Sequence, residues 1–344
     1  MFRLMRFCLI VLTITLPFMP PAYADVGRLQ INEENDKFAS GDDRHYTQGI
    51  RASWLPGDLA SDSGWNAPYS WLNDVVPVFQ GGGDVKRQYD WTVVGQSIFT
   101  PQRLHTTAPV ANDRPYGAWL YTGASILQQD HHESHDTLEN AEVLGGVVGP
   151  EALGGIVQND FHQFIGVQAA EGWTNQIHTE PGFVFTYERK WRFEAPLSDS
   201  YLGADVIPEA GASLGNIFTY GEMSAQMRIG HNLKADYGTD HIRPSLSGTG
   251  FFDEAALMDK LGWYLFVGAQ GRAVGHNIFL DGNTYSSSPS VDKKPLVDDL
   301  VAGASVFWSR AMRVDFTVTQ RSKEFYGQQG HPDRFGSIGF TSGF

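Results

Sequence analysis

The chain has little of three things, and each shortage excludes a class of protein. Cysteine occurs once, as Cys8, inside an N-terminal segment with the features of a leader. The exported chain therefore carries neither a disulfide nor a thiol nucleophile, and its stability must come from its fold. Long apolar runs are missing after residue 24. Nothing there approaches the roughly 20 apolar residues of a membrane-spanning helix, so an integral membrane form must cross with strands. Positive charge is also scarce. Beyond residue 24 the chain keeps 23 bases against 39 acids, a net charge of -16. A field of that sign excludes nucleic acid as a partner and leaves cations such as calcium as plausible ones.

The leader has a recognisable build. Arg3 and Arg6 precede an apolar run from Phe7 to Phe18, and Ala22-Tyr23-Ala24 supplies a small-x-small cleavage site. Residues 1–24 read as a signal peptide and 25–344 as the exported domain.

What the domain does have is period-two alternation. Met312, Val314, Phe316 and Val318 alternate with Arg313, Asp315, Thr317 and Thr319, and the last strand ends on an aromatic, Phe344. Such alternation puts one residue set on each face of a strand. A terminal aromatic on the apolar face suits the girdle of an outer-membrane barrel. Segments of this kind fall at 26–33, 46–55, 90–99, 115–128, 137–148, 180–194, 201–214, 218–231, 260–275, 296–308, 311–321 and 334–344. Their even number, and lengths of about ten residues or more, fit a transmembrane barrel better than a soluble sandwich. The expected fold is all-β: a single antiparallel up-and-down transmembrane β-barrel of about twelve strands. Gly149-Pro150-Glu151 opens like a helix, which puts a short helix in one extracellular loop. Segments 56–89 and 232–259 are long for turns at the end that carries the termini, and nothing in their composition accounts for their length.

Up-and-down connectivity gathers the loops after odd-numbered strands at one end. Three of these are dense in polar groups: Glu33-Glu34-Asn35-Asp36, Asp42-Asp43-Arg44-His45-Tyr46-Thr47, and Gln158-Asn159-Asp160-Phe161-His162. Asn35, Asp36 and Thr47 offer the oxygens a hard cation takes, and His162 offers a base that titrates near neutrality. Singly, each has a plainer reading. Asn35-Asp36 is also a turn former, and a lone helical histidine is usually a packing or surface residue. The run His131-His132-Glu133-Ser134-His135-Asp136 falls at the opposite end and reads as a solvated turn. Asp42 and Asp43 read as turn acids, Asp43 pairing with Arg44 or Arg114, and Gly81-Gly82-Gly83 as a flexible loop.

Taken in order, Glu34-Asn35-Asp36, Asp43-Arg44-x-Tyr46-Thr47-x-Gly49, Gln96-x-x-Phe99-Thr100-Pro101, Asp113-Arg114-Pro115-Tyr116-Gly117, Gln158-Asn159-x-x-His162, Gly172-Trp173-x-Asn175-Gln176 and Leu214-Gly215-Asn216 form a set. That set resembles the lipid A 3'-O-deacylase family across nearly the whole exported chain. The resemblance implies a twelve-stranded barrel in the outer membrane of a Gram-negative bacterium, its active site facing the cell exterior, and the polar lumen faces of most strands point to a self-sufficient monomer. The resemblance also implies calcium-dependent hydrolysis of the ester-linked 3' acyl chains of lipid A, the lipid anchor of lipopolysaccharide. By position, Asn35, Asp36, Thr47 and His162 take the catalytic places, with His162 as general base and Asp36 and Asn35 at the metal. Arg114, Arg103 and Gln168 are the candidate substrate contacts. A lysine of the family's second odd loop has no counterpart here, only Arg103 and His105 lying nearby. The acid six residues past the histidine is replaced by Gln168. Those two departures are what favour the alternative, a non-catalytic barrel acting as a narrow channel or a lipid-binding structural protein.

Overall fold

The computed structural model describes residues 27–344 apart from 40, 42, 82–84, 197–200 and 247. The leader 1–24, Asp42 and most of the Gly81–Gly83 run lie outside the described residues.

Twelve antiparallel strands close on themselves, each hydrogen-bonded to its sequence neighbours and β1 to β12. They are β1 (Arg28–Asn35), β2 (His45–Leu55), β3 (Val85–Thr100), β4 (Gly117–His131), β5 (Asp136–Val148), β6 (Glu180–Pro196), β7 (Gly203–Gly215), β8 (Phe218–His231), β9 (Leu261–Asn277), β10 (Leu296–Trp308), β11 (Met312–Arg321) and β12 (Asp333–Gly343). Each expected segment has its strand, the ends differing by a few residues. The Arg28↔Gly343 pairing zips the two ends of the chain together, and the phenyl ring of Phe344 lies against Gly27. Closure removes the edges that would otherwise leave backbone groups bare in lipid.

Alternation puts apolar side chains outside and polar ones inside. Leu265, Val267, Leu300 and Phe316 are exposed on the outer wall, whereas Arg228, Asp205, Arg272 and Asp299 are buried in the lumen. This is the inverse of a water-soluble core and suits a wall that faces hydrocarbon.

The lumen is filled from both ends. At the end away from the termini, Tyr46, Phe99, Trp119 and Phe218 pack against Phe279 of a short helix, Ile278–Asp281. From the other end the long connection 232–259 folds inward, which accounts for its length. Asp236 accepts hydrogen bonds from Arg228 of β8, Arg313 of β11 and the Tyr264 hydroxyl of β9, the last at 3.0 Å. Asp240 pairs with Arg51 of β2, and the Ile242 N–H donates to Glu34 of β1 at 3.0 Å. Arg243 reaches Glu142 of β5 and Glu188 of β6, and Arg321 of β11 donates to the Pro244 carbonyl. The gap left beside Arg51, Asp90, Glu142 and Asp240 is about 10 Å³, room for one water.

The other long connection, 56–84, carries helix α1 (Ala67–Val75), whose Tyr69 is buried against Phe79 and Tyr89 on the outside of the wall. The His131–Asp136 run is the tight β4–β5 turn, closed by an ion pair between its two ends.

Candidate functional site

Helix α2 (Gly154–Ile165) follows β5 and leans back over the outer face of β3 and β4. Its sequence permits the close approach. A Cβ on Gly154 would lie 2.4 Å from the Ala118 methyl, and one on Gly155 would lie 2.9 Å from the Trp173 ring. Gln96 of β3 donates to the Ala152 carbonyl at 2.6 Å, tethering the turn that starts the helix. Beneath lie Ile98, Leu104, Tyr116, Ala118 and Trp173, a small apolar core on the outside of the barrel.

Gln158 and His162, four residues apart, share one helix face. Gln158 accepts from Trp173 Nε1 at 2.9 Å and donates to Asp43 Oδ1 at 3.2 Å. His162 Nε2 lies 2.7 Å from Asp43 Oδ2. Helix α2 ends at Gly166, whose φ of 73° is the left-handed value glycine adopts freely. That reversal carries the Gln168 carbonyl to 2.8 Å from His162 Nδ1. A carbonyl only accepts, so Nδ1 carries a proton and Nε2 is the nitrogen turned toward the acids. Asn159 fixes the returning loop, accepting from the Ala170 N–H at 2.8 Å and donating to the Ala170 carbonyl at 3.2 Å.

The acids arrive from β1 and β2. Asn35 caps a single 3₁₀ turn, its Oδ1 accepting from the Lys37 N–H at 2.9 Å. Asp36, the first residue of that turn, accepts from the Arg44 N–H at 2.7 Å. Burial and the nearby Asp43 charge push the Asp36 carboxyl well above the usual carboxylate range. Lys37 Nζ stands 3.8 Å from Asp43. Asn35 pairs with Gln48, so the next position sets Thr47 beside Asp36. Thr47 sits at a β-bulge, its hydroxyl 2.6 Å from that of Thr100.

Closure thus brings the β1–β2 hairpin end, with Asn35, Asp36 and Thr47, and helix α2, with His162, to one rim, and Asp43 links the helix to Lys37 and Asp36. Sequence reasoning took Asp43 for a turn acid paired with an arginine. Its place in the Asp43-Arg44-x-Tyr46-Thr47 motif was the signal that could have shown otherwise.

One expected substrate contact, Arg114, needs correction. Arg114 is completely buried, its Nη1 3.0 Å from Glu324 and its guanidinium 4.8 Å above the Phe99 ring. It braces the inside of the rim and does not reach a lipid phosphate. Gln168 serves through its backbone, while its side chain donates to Glu171 at 3.3 Å. Arg103 is exposed on the loop between β3 and β4. Arg114→Met is expected to destabilise the barrel by about 3 kcal/mol, because it leaves the buried Glu324 with only Arg321, 3.9 Å away. The shift appears as a lower temperature for loss of the compact gel form, with the specific activity of folded protein unchanged.

The tightest group of metal-type ligands among the described residues is elsewhere, in the lumen: Glu188, Glu209 and Glu222. Their charges are already met by Arg243, by Lys190 at 2.7 Å from Glu209, and by a Gln270 amide hydrogen bond of 2.6 Å to Glu222. Asp36, Asp43 and His162 do not form so tight a set.

Comparison with solved structures gives LpxR from Salmonella typhimurium at 21% identity, with 92% of this chain and 100% of that one covered and a TM-score of 0.70. The β domain of the Bordetella autotransporter BrkA follows at 8% identity, covering 93% and 98% of the two chains, with a TM-score of 0.41. The first likeness establishes the twelve-stranded barrel fold. No curated protein matches the sequence. The family described as outer membrane protein LpxR matches residues 7–344, and with the match spanning almost every residue, this outer-membrane β-barrel belongs to the LpxR family.

Proposed function

We propose that the protein is a lipid A 3'-O-deacylase, an esterase that works at the outer face of its barrel. The observation that carries this reading is the aim of His162. Its Nδ1 is held by the Gln168 carbonyl and its Nε2 lies 2.7 Å from the half-buried Asp43, whose charge acts on the buried Asp36. The surroundings suit a lipid. Ile156 and Phe164 on α2, and Phe38 beside Asp36, present bare apolar side chains around the site, where acyl chains lying against the barrel wall would meet them.

In the reaction, water displaces the Asp43 carboxylate from His162 Nε2, and Nε2 takes a proton from that water as its oxygen attacks the ester carbonyl carbon. When the tetrahedral intermediate collapses, the ester C–O bond breaks and His162 returns the proton to the leaving alkoxide. The products are a fatty acid and lipid A with a free hydroxyl. Thr47 positions the water or the ester, and Asp36 and Asp43 hold the local negative charge.

The donor set fits a hard divalent cation: two carboxylates and an amide oxygen, with the Asp36 carboxyl pushed up by burial and then by the Asp43 charge. Asp36, Asp43 and Asn35 would hold calcium. Once bound, it would supply Lewis-acid stabilisation of the oxyanion and a counter-charge for the phosphates of lipid A. Arg103 is the exposed cation available to a phosphate. The site then faces the cell exterior, since lipid A lies in the outer leaflet. A filled lumen gives no support to the channel reading.

The test is mass spectrometry of lipid A from a Gram-negative host that expresses the protein. Loss of the mass of the 3' acyl chains is expected with calcium, and intact lipid A with chelator. Lipid A unchanged under both conditions overturns the proposal.

A further inference from the structure

Helix α1 sits at the end of the barrel opposite the catalytic rim and has no part in the site above. At 100° per residue, its apolar positions span about half of the helix circumference. Tyr69 and Leu72 fill one half of that arc and pack on the barrel: the Tyr69 hydroxyl donates to the Gln88 carbonyl at 2.7 Å, and Leu72 joins the Tyr69, Phe79 and Tyr89 cluster. The other half, Pro68, Trp71 and Val75, is bare, Trp71 and Val75 each being 63% exposed. Ser70, Asn73 and Asp74 occupy the remaining face.

The position of the helix on the wall identifies what covers the bare half. It lies over β3, where the outward residues run from the stacked aromatics Trp91 and Tyr89 to the basic Arg87. The Arg87 guanidinium stands 4.7 Å over the Tyr69 ring and donates to Asn66 at 2.8 Å. On the neighbouring wall, Phe185 and Tyr187 pack against the same cluster, and Phe183 and Val143 continue it as exposed apolar surface. Exposed apolar wall giving way to aromatic and then cationic side chains marks the boundary between hydrocarbon and headgroups. The bare face of α1 is therefore continuous with the lipid-facing band and lies at its edge.

We propose that α1 is an in-plane membrane helix, with Trp71 and Val75 inserted among phospholipids of the leaflet at the end carrying the termini, and Asp74 turned to water. This anchor is independent of the deacylase reading and would fix the depth at which the barrel rides in the bilayer.

The experiment uses nitroxide-labelled Trp71→Cys, Val75→Cys and Asp74→Cys, each in a Cys8→Ser background free of other cysteines. All three positions are exposed, so barrel packing is left intact. In liposomes of phosphatidylethanolamine and phosphatidylglycerol, labels at 71 and 75 are expected to relax with dissolved oxygen and to be shielded from an aqueous nickel chelate, with the label at 74 showing the reverse. Equal exposure of all three to nickel overturns the proposal. Dipolar broadening between the labels of neighbouring molecules at 71 or 75 that disappears on dilution with unlabelled protein assigns the face to a second copy and overturns it as well.

Discussion

His162→Ala is expected to slow lipid A deacylation by about 10²–10⁴-fold, the range for removal of a general base, and to leave the barrel closed. The fold should tolerate the change, because His162 lies on a helix applied to the outside of the wall and contributes no side chain to the lumenal networks. Asp43→Asn keeps the shape of its partner and removes the charge. Its deacylation rate should also fall, with the calcium concentration for half-maximal rate moving upward, since one of two adjacent carboxylates is gone. The two variants differ in that second readout. A base acts after the cation is in place, so His162→Ala should leave the calcium requirement where it is. Timed mass spectrometry of lipid A at graded calcium measures both quantities, and heat-modifiable gel migration reports closure. A wild-type rate in His162→Ala would remove the base from the mechanism. An unchanged calcium requirement in Asp43→Asn would remove Asp43 from the metal.

The strands were legible because each one satisfies a local rule: the outer face meets lipid, the inner face meets polar groups, and the period is two. The candidate site was legible in part for a similar reason. Asn35, Asp36 and Thr47 flank one hairpin loop, whose register ends at the Asn35–Gln48 pair next to Asp36 and Thr47. His162 came from its motif and from connectivity, which puts the helix at the same rim. Asp43 depends on more. Its contact with His162 requires α2 to lean across two strands, a geometry set by Gly154 and Gly155 against Ala118 and Trp173, and no sequence period records that. Arg114 was misread because a guanidinium on a rim segment is equally suited to a phosphate outside or a buried glutamate inside. Only the position of Glu324, 210 residues away, decides between them. The inward course of 232–259 was invisible for a further reason. A plug in a polar lumen needs charges matched to distant strands, as Asp240 is matched to Arg51, and it needs neither a helical nor a strand-like apolar face.

Within that plug, Asp236→Ala is expected to lower stability by about 3 kcal/mol, the low end of the range for breaking a buried ion pair. Asp236 is fully buried and faces two guanidiniums, so its loss leaves positive charge with too little compensation in a region closed to water. The cost stays at the low end because each arginine keeps a second acid: Arg228 holds Asp205 at 2.5 Å, and Arg313 holds Asp315 at 2.8 Å. Two groups that share a partner should not add. Asp236→Ala combined with Arg313→Met removes the charge and its counter-charge together, and should cost less than the sum of the single changes. Urea midpoints of the refolded barrel in detergent measure all three variants. A change within about 0.5 kcal/mol for Asp236→Ala, the ordinary effect of a surface substitution, would mean that water already reaches the charge. The 232–259 segment would then be a loose insertion, and the lumen would not be sealed from the end that carries the termini.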